Sequence, residues 1–113
     1  MILVTGGLGS GRHEFVKNKF PGREICEFGP EQVKEILAQG GQVSAAAEDL
    51  VRDHPEAVVI TQEVGCGIVP ADPFERKWRE ELGRAACALA SASETVILMT
   101  CGIGKAIKGR ILR

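Results

Sequence analysis

The run Met1-Ile2-Leu3-Val4-Thr5 breaks without a spacer into Gly6-Gly7-Leu8-Gly9-Ser10-Gly11-Arg12-His13, and this junction constrains the fold more than any other feature of the chain. A short, wholly aliphatic run reads as a strand buried on both faces of a parallel sheet. After the glycines, Phe15, Val16, Lys17, Lys19 and Phe20 permit a short helix from Arg12 or His13, which Pro21-Gly22 must stop. The order strand, glycine loop, helix is that of a phosphate-binding α/β unit.

The rest of the chain keeps alternating. Glu24 to Phe28 suits a second strand, and Gly29-Pro30 opens a helix with Val33, Ile36 and Leu37 on one face, broken by Gly40-Gly41. Ser44 is placed to cap the next helix, with Ala45, Ala46, Leu50 and Val51 near one face, before His54-Pro55 ends it. Ala57 to Thr61 is the clearest buried strand and runs into the polar stretch Gln62 to Gly67. Pro73 fits the first turn of the longest helix, where Trp78, Leu82, Ala85, Ala86 and Leu89 recur at three- and four-residue spacing up to Ser91. Thr95 to Thr100 is the last strand, followed by Gly102-Ile103-Gly104 and a basic end with Lys105, Lys108, Arg110 and Arg113.

The expected fold is therefore α/β: a mostly parallel sheet of about four strands with helices on both faces. A length of 113 residues fits one domain, 1–113. Because only 4% of residues are aromatic, the core is expected to pack Val, Ile, Leu and Ala around Phe15, Phe20, Phe28, Phe74 and Trp78.

Fourteen basic against fifteen acidic residues leave a net charge of −1, so no global field favours nucleic acid or a membrane surface, and any anion site must be local. The opening apolar run is too short for a signal-peptide core and no 18-residue apolar stretch follows, so a cytoplasmic location is expected. Cys26, Cys66, Cys87 and Cys101 lie at wide, unequal intervals without a C-x-x-C pair or a flanking histidine. That spacing argues against a zinc site and for small buried hydrophobes, so no metal site is expected.

Gly6 to Gly11 has the spacing G-x-x-x-x-G, followed by a cation, between a strand and a helix. Glycines let successive N–H groups turn toward phosphate oxygens, and the following helix N-terminus adds partial positive charge. The candidate nucleotide-binding residues are Gly6, Gly7, Leu8, Gly9, Ser10, Gly11, Arg12 and His13. In a working loop of this kind a lysine reaches the β and γ phosphates and a serine or threonine hydroxyl holds magnesium. Arg12 keeps the charge with a wider, planar fork, and the His13 imidazole is a poor ligand for Mg2+, which prefers oxygen. Phosphate binding thus survives better than phosphoryl transfer. The alternative is a glycine-rich turn with no ligand. The dinucleotide fingerprint G-x-G-x-x-G is not met.

From Ala57 to Lys108 the chain resembles the bifunctional adenosylcobinamide kinase and adenosylcobinamide-phosphate guanylyltransferase family of cobalamin biosynthesis. The family's T-N-E-V-G-x-G-I-V-P appears as Thr61-Gln62-Glu63-Val64-Gly65-Cys66-Gly67-Ile68-Val69-Pro70, with Gln62 the departure. Arg79, Gly83-Arg84 and Leu89-Ala90 on the long helix, then Cys101-Gly102-Ile103 and Ile107-Lys108, continue the match. The opening Met1 to Gly7 is similar to the family's first strand, whose loop reads G-G-A-R-S-G-K-S, with Ser10 and Gly11 retained.

The resemblance implies a shortened P-loop NTPase-like fold, GTP or ATP as ligand with Mg2+ poorly served, a corrinoid as second partner, and a homo-oligomer. It also implies a missing stretch between the second strand and Ala57, which in the family carries the histidine that takes up the guanylyl group and an acidic residue of the kinase's metal-holding strand. His54 is not given that role, and Ala86-Cys87 replaces a polar pair on the long helix, so guanylyl transfer is expected to be absent.

Glu63, the candidate catalytic residue, either holds a metal-bound water or acts as a base beside the loop, or merely accepts from N–H groups of Gly65 and Gly67. Lys108 joins the candidate nucleotide-binding residues because it follows a strand expected to end near the same edge, although a solvated tail is the plainer reading. Three functions stay open: a nucleotide-binding relative with reduced or lost catalysis, an active ATP- or GTP-dependent adenosylcobinamide kinase, and an oligomeric module without ligand in which Trp78 and Leu82 lie either at the contact or in the core.

Overall fold

The computed structural model describes residues 1–64 and 71–111. Among them are five strands and four helices: β1 Ile2–Gly6, α1 Arg12–Lys19, β2 Ile25–Glu27, α2 Pro30–Ala38, α3 Val43–Asp53, β3 Val58–Ile60, α4 Pro73–Ala92, β4 Thr95–Thr100 and β5 Ile103–Lys108. The sheet order is β2-β3-β1-β4-β5, with β1 at its centre. The first four strands run parallel, which brings their C-terminal ends to one edge. Strand alternation splits the core. Ile2, Val4, Val58, Ile60, Ile97 and Met99 face Val16 and Phe20 of the α1 side, while Leu3, Val59 and Val96 face Val33, Val43, Ala47, Trp78, Leu82 and Leu89 of α2, α3 and α4.

The mostly parallel α/β expectation holds, and a fifth strand adds to it. Residues 103–108, read from sequence as a glycine-rich basic end, pair antiparallel with β4, from Thr100↔Ile103 to Val96↔Lys108. Cys101 and Gly102 turn the hairpin with φ of 49° and 79°, the left-handed pair that a tight two-residue turn requires. The strand was hard to read because it lies on the sheet edge with Ile103 and Ile107 exposed, so no buried run marks it.

Two smaller expectations are corrected. Phe74, in the first turn of α4, is 45% exposed and lies outside the core. Ser44 does not cap α3, which starts at Val43 after Gln42 and without a side-chain cap. The α4 start does follow its sequence signal: Pro73 occupies the first turn and the Asp72 carboxylate accepts from the Phe74 N–H at 2.8 Å. Trp78 and Leu82 are core residues, 4% and 0% exposed.

Candidate functional site

The glycine loop leaves β1 at the edge where the parallel strands end and enters α1. Its shape depends on two positions. Gly11 has φ 85° as the N-cap, and an added Cβ would lie 3.3 Å from Gly102 Cα. At Gly6 an added Cβ would fall 2.8 Å from the Met99 carbonyl and 2.7 Å from Ser10 Oγ. Sterics therefore demand glycine at both. The loop is pinned from two sides: the Gly102 N–H donates to the Ser10 carbonyl at 2.9 Å, and the Ser10 N–H to the Gly7 carbonyl at 3.2 Å. The Phe15 N–H closes the first turn of α1 on the Gly11 carbonyl at 3.0 Å. The N–H groups of Arg12, His13 and Glu14, which an α-helix cannot pair internally, thus crown the loop. Gly7, Leu8 and Gly9 are open to solvent, with Leu8 84% exposed.

The two side chains that stand where lysine and a hydroxyl are expected are both engaged within the protein. Arg12 is only 8% exposed, and its Nη1 donates to the Thr61 carbonyl at 2.6 Å. Thr61, in turn, donates Oγ1–H to the Phe28 carbonyl at 2.7 Å. Arg12 thereby ties the start of α1 to the ends of β3 and β2. His13 Nε2 pairs with the Glu27 carboxylate at the end of β2. The remaining hydroxyl, Ser10 Oγ, is buried without a protein partner and packed toward Gly6. An imidazole held by a carboxylate and an enclosed hydroxyl do not make a seat for Mg2+, a hard cation that takes exposed oxygen ligands. The side chains here do not fit the ion.

A cleft of about 540 Å³ opens beside the loop, lined by Leu8, Arg12, His13, Glu27, Gly29, Lys34 and Gln62 among others. Gln62 and Glu63 follow β3, and the Glu63 N–H donates to the Gly6 carbonyl at 2.9 Å. The fold thus brings Glu63 to the root of the loop, as its strand-end position implied. Gly65 and Gly67, its alternative partners, lie outside the described residues, as does Cys66. Glu63 also borders a second, largely apolar groove of about 420 Å³ between α4 and the strands, with Arg79, Gly83, Cys87, Leu98 and Ile107. Arg79 Nη1 donates to the Val64 carbonyl at 3.2 Å, which holds the strand exit against α4.

Lys108 is not brought to this site. Because β5 runs back along β4, Lys108 lies beside Val96 at the opposite edge of the sheet, and its Nζ donates to the carbonyls of Ala90 and Ser91 at 2.9 and 3.2 Å. There it neutralises the C-terminal end of the α4 dipole. His54 is also at that far edge, with Nδ1 2.9 Å from Glu24 Oε1. Burial, and next the Glu24 carboxylate, raise the Cys26 thiol above its ordinary pKa. Glu27 is the site residue that sequence reading missed. Its signal was available, since it ends a strand at the same edge as the loop.

Residues 31–107 match the family described as cobinamide kinase / cobinamide phosphate guanyltransferase. The glycine loop precedes that range, so its reading stands on its own geometry. The chain is 43% identical over 53 residues to the bifunctional adenosylcobalamin biosynthesis protein CobU of Salmonella typhimurium, which covers 47% of this chain and 29% of the relative. The protein of the same name from Escherichia coli gives the same identity and coverage. The matched part thus spans less than a third of either relative. Among the described residues, no helix is long and apolar enough to cross a membrane.

Proposed function

The chain belongs to the cobinamide kinase / cobinamide phosphate guanyltransferase family, and on that premise we propose that it binds a nucleotide in cobalamin-related metabolism while phosphoryl and guanylyl transfer are reduced or lost. The observation that carries this reading is the loop Gly6–Gly11. It is a glycine-shaped turn between the central strand and α1, with Gly7, Leu8 and Gly9 exposed at the strand-end edge where α/β sheets bind ligands. GTP or ATP would place its phosphates there, and a corrinoid is the second partner that the family suggests.

Reduced chemistry follows from what the loop's side chains already do. Arg12 is committed to the Thr61 carbonyl and His13 to Glu27, so these two positions offer the β and γ phosphates neither a mobile cation nor a hydroxyl. Calorimetric titration with GTP, ATP and GDP tests the binding claim. Heat and a thermal shift at submillimolar nucleotide are expected, and none at millimolar nucleotide would leave the loop a structural turn.

The placement of Glu63 beside Gly6 favours a second reading, residual kinase activity toward adenosylcobinamide with Glu63 as base. Transfer of labelled phosphate to cobinamide, lost in Glu63→Gln, would support it. Equal background in both proteins would remove it. A homo-oligomer is also proposed, because the edge strand β5 leaves Ile103 and Ile107 72% and 57% exposed. Light scattering at high concentration decides that point, a monomer counting against it.

A further inference from the structure

We propose that Glu24, Cys26 and His54 form a binding site for a zinc-class divalent cation at the sheet edge remote from the glycine loop. A carboxylate oxygen, a thiol sulfur and an imidazole nitrogen from these residues all lie within 4.8 Å of one another. Among the described residues, no other three side chains of these types converge so.

The fold builds this cluster from parts that the chain keeps far apart. Glu24 and Cys26 are two residues apart in an extended segment, which puts both side chains on one face. Parallel pairing of Ile25 with Val58 then sets the start of β2 beside the start of β3. His54 is the C-cap of α3, just before that strand. Each backbone is held. The Val58 N–H donates to the Glu24 carbonyl at 2.8 Å, the His54 N–H to the Leu50 carbonyl at 2.9 Å, and the Ala57 N–H to the His54 carbonyl at 3.2 Å. Donors hung on paired backbone lose little freedom when they close on an ion.

The donor set selects the class of ion. Sulfur, nitrogen and oxygen together suit Zn2+, which takes four ligands in a tetrahedron, whereas Mg2+ and Ca2+ want oxygen throughout. Bond lengths of about 2.0–2.3 Å put tetrahedral donors about 3.3–3.7 Å apart, so a closure of about 1 Å through side-chain torsions completes the site. A thiolate, a carboxylate and a neutral imidazole balance the two charges of the ion, which suits a half-buried position. Glu24 is exposed and the other two are partly exposed, so the ion has an entry path and water can take the fourth position. Bound there, it would tie the edge strand β2 to the end of α3.

The test uses the full chain, stripped with chelator, and titrates Zn2+ against a chromophoric chelator and Co2+ by absorption. One equivalent of metal per chain and a sulfur-to-cobalt charge-transfer band are expected. A triple variant, Cys66→Ser, Cys87→Ser and Cys101→Ser, should keep the band, and Cys26→Ser should abolish it. His54→Ala and the milder Glu24→Gln should each weaken zinc binding at least about tenfold, the loss that even outer partners of a metal site cause. Trp78 fluorescence verifies that each variant is folded. A band that survives in Cys26→Ser, a band lost in the triple variant, zinc affinity unchanged in folded His54→Ala or Glu24→Gln, or no zinc bound at micromolar protein would overturn the proposal.

Discussion

Replacing Arg12 with methionine separates a structural role of that cation from a ligand role. Methionine keeps most of the buried stem and removes the guanidinium that donates to the Thr61 carbonyl over 2.6 Å. The residue is 8% exposed, so solvent cannot replace the lost bond. A charge-assisted hydrogen bond in such a place is worth about 1.5–3 kcal/mol. Against a typical net stability of about 5–15 kcal/mol the loss is large, and the melting temperature should fall by roughly 5–15 °C. Urea unfolding followed by Trp78 is the assay, since this residue is 4% exposed in the core of the opposite face and reports global unfolding. The difference should persist at high salt because burial limits screening. A midpoint shift worth under about 0.5 kcal/mol at unchanged slope would refute the structural role. If nucleotide affinity fell while stability held, Arg12 would instead serve the phosphates.

Three further outcomes are expected. The double change Arg12→Lys and His13→Ser should raise magnesium-dependent nucleotide affinity about a hundredfold, or 2 to 3 kcal/mol, at the expense of the Thr61 bond. Calorimetry with and without Mg2+ reads the gain, and its absence would make backbone geometry the limit. Gly11→Ala should destabilise by about 1–2 kcal/mol in urea unfolding, because its φ of 85° is left-handed and its Cβ would press on Gly102. At Cys26 the raised pKa favours the neutral thiol in the folded state. The stability this gives is complete below the unfolded thiol's titration range and is lost as pH rises through the higher folded value. Alkylation mapped by mass spectrometry should accordingly reach exposed Cys87 and Cys101 before Cys26, and Glu24→Gln should shift the Cys26 rate profile to lower pH.

Much of the fold is legible in the sequence. Ile2 to Val4, Val58 to Ile60 and Val96 to Ile97 are aliphatic runs that can only be buried, and Gly6 to Gly11 between a strand and a helix marks the loop. Proline and glycine set the helix ends at Pro30 and Pro73. These signals act over a few residues, so a linear reading catches them. The family residues after β3 were legible for the same reason, as a run from Thr61 to Pro70 that departs only at Gln62. Strand β5 was not, since at the sheet edge its Ile103 and Ile107 stay exposed and only pairing with β4 makes it a strand.

Side-chain partnership across long intervals was decided by packing alone. Arg12 reads from sequence as a phosphate-facing cation, but it meets Thr61 across 49 positions because β1 and β3 are neighbours and α1 starts above them. His13 finds Glu27 because β2 ends at the same edge. The return of β5 carries Lys108 to the far edge, away from the loop it was expected to join. Cysteine spacing argued against zinc, yet the parallel register of β2 with β3 sets His54 beside Glu24 and Cys26. Local chemistry determines which elements form, and the register between elements, a property of the whole packed sheet, determines which side chains meet.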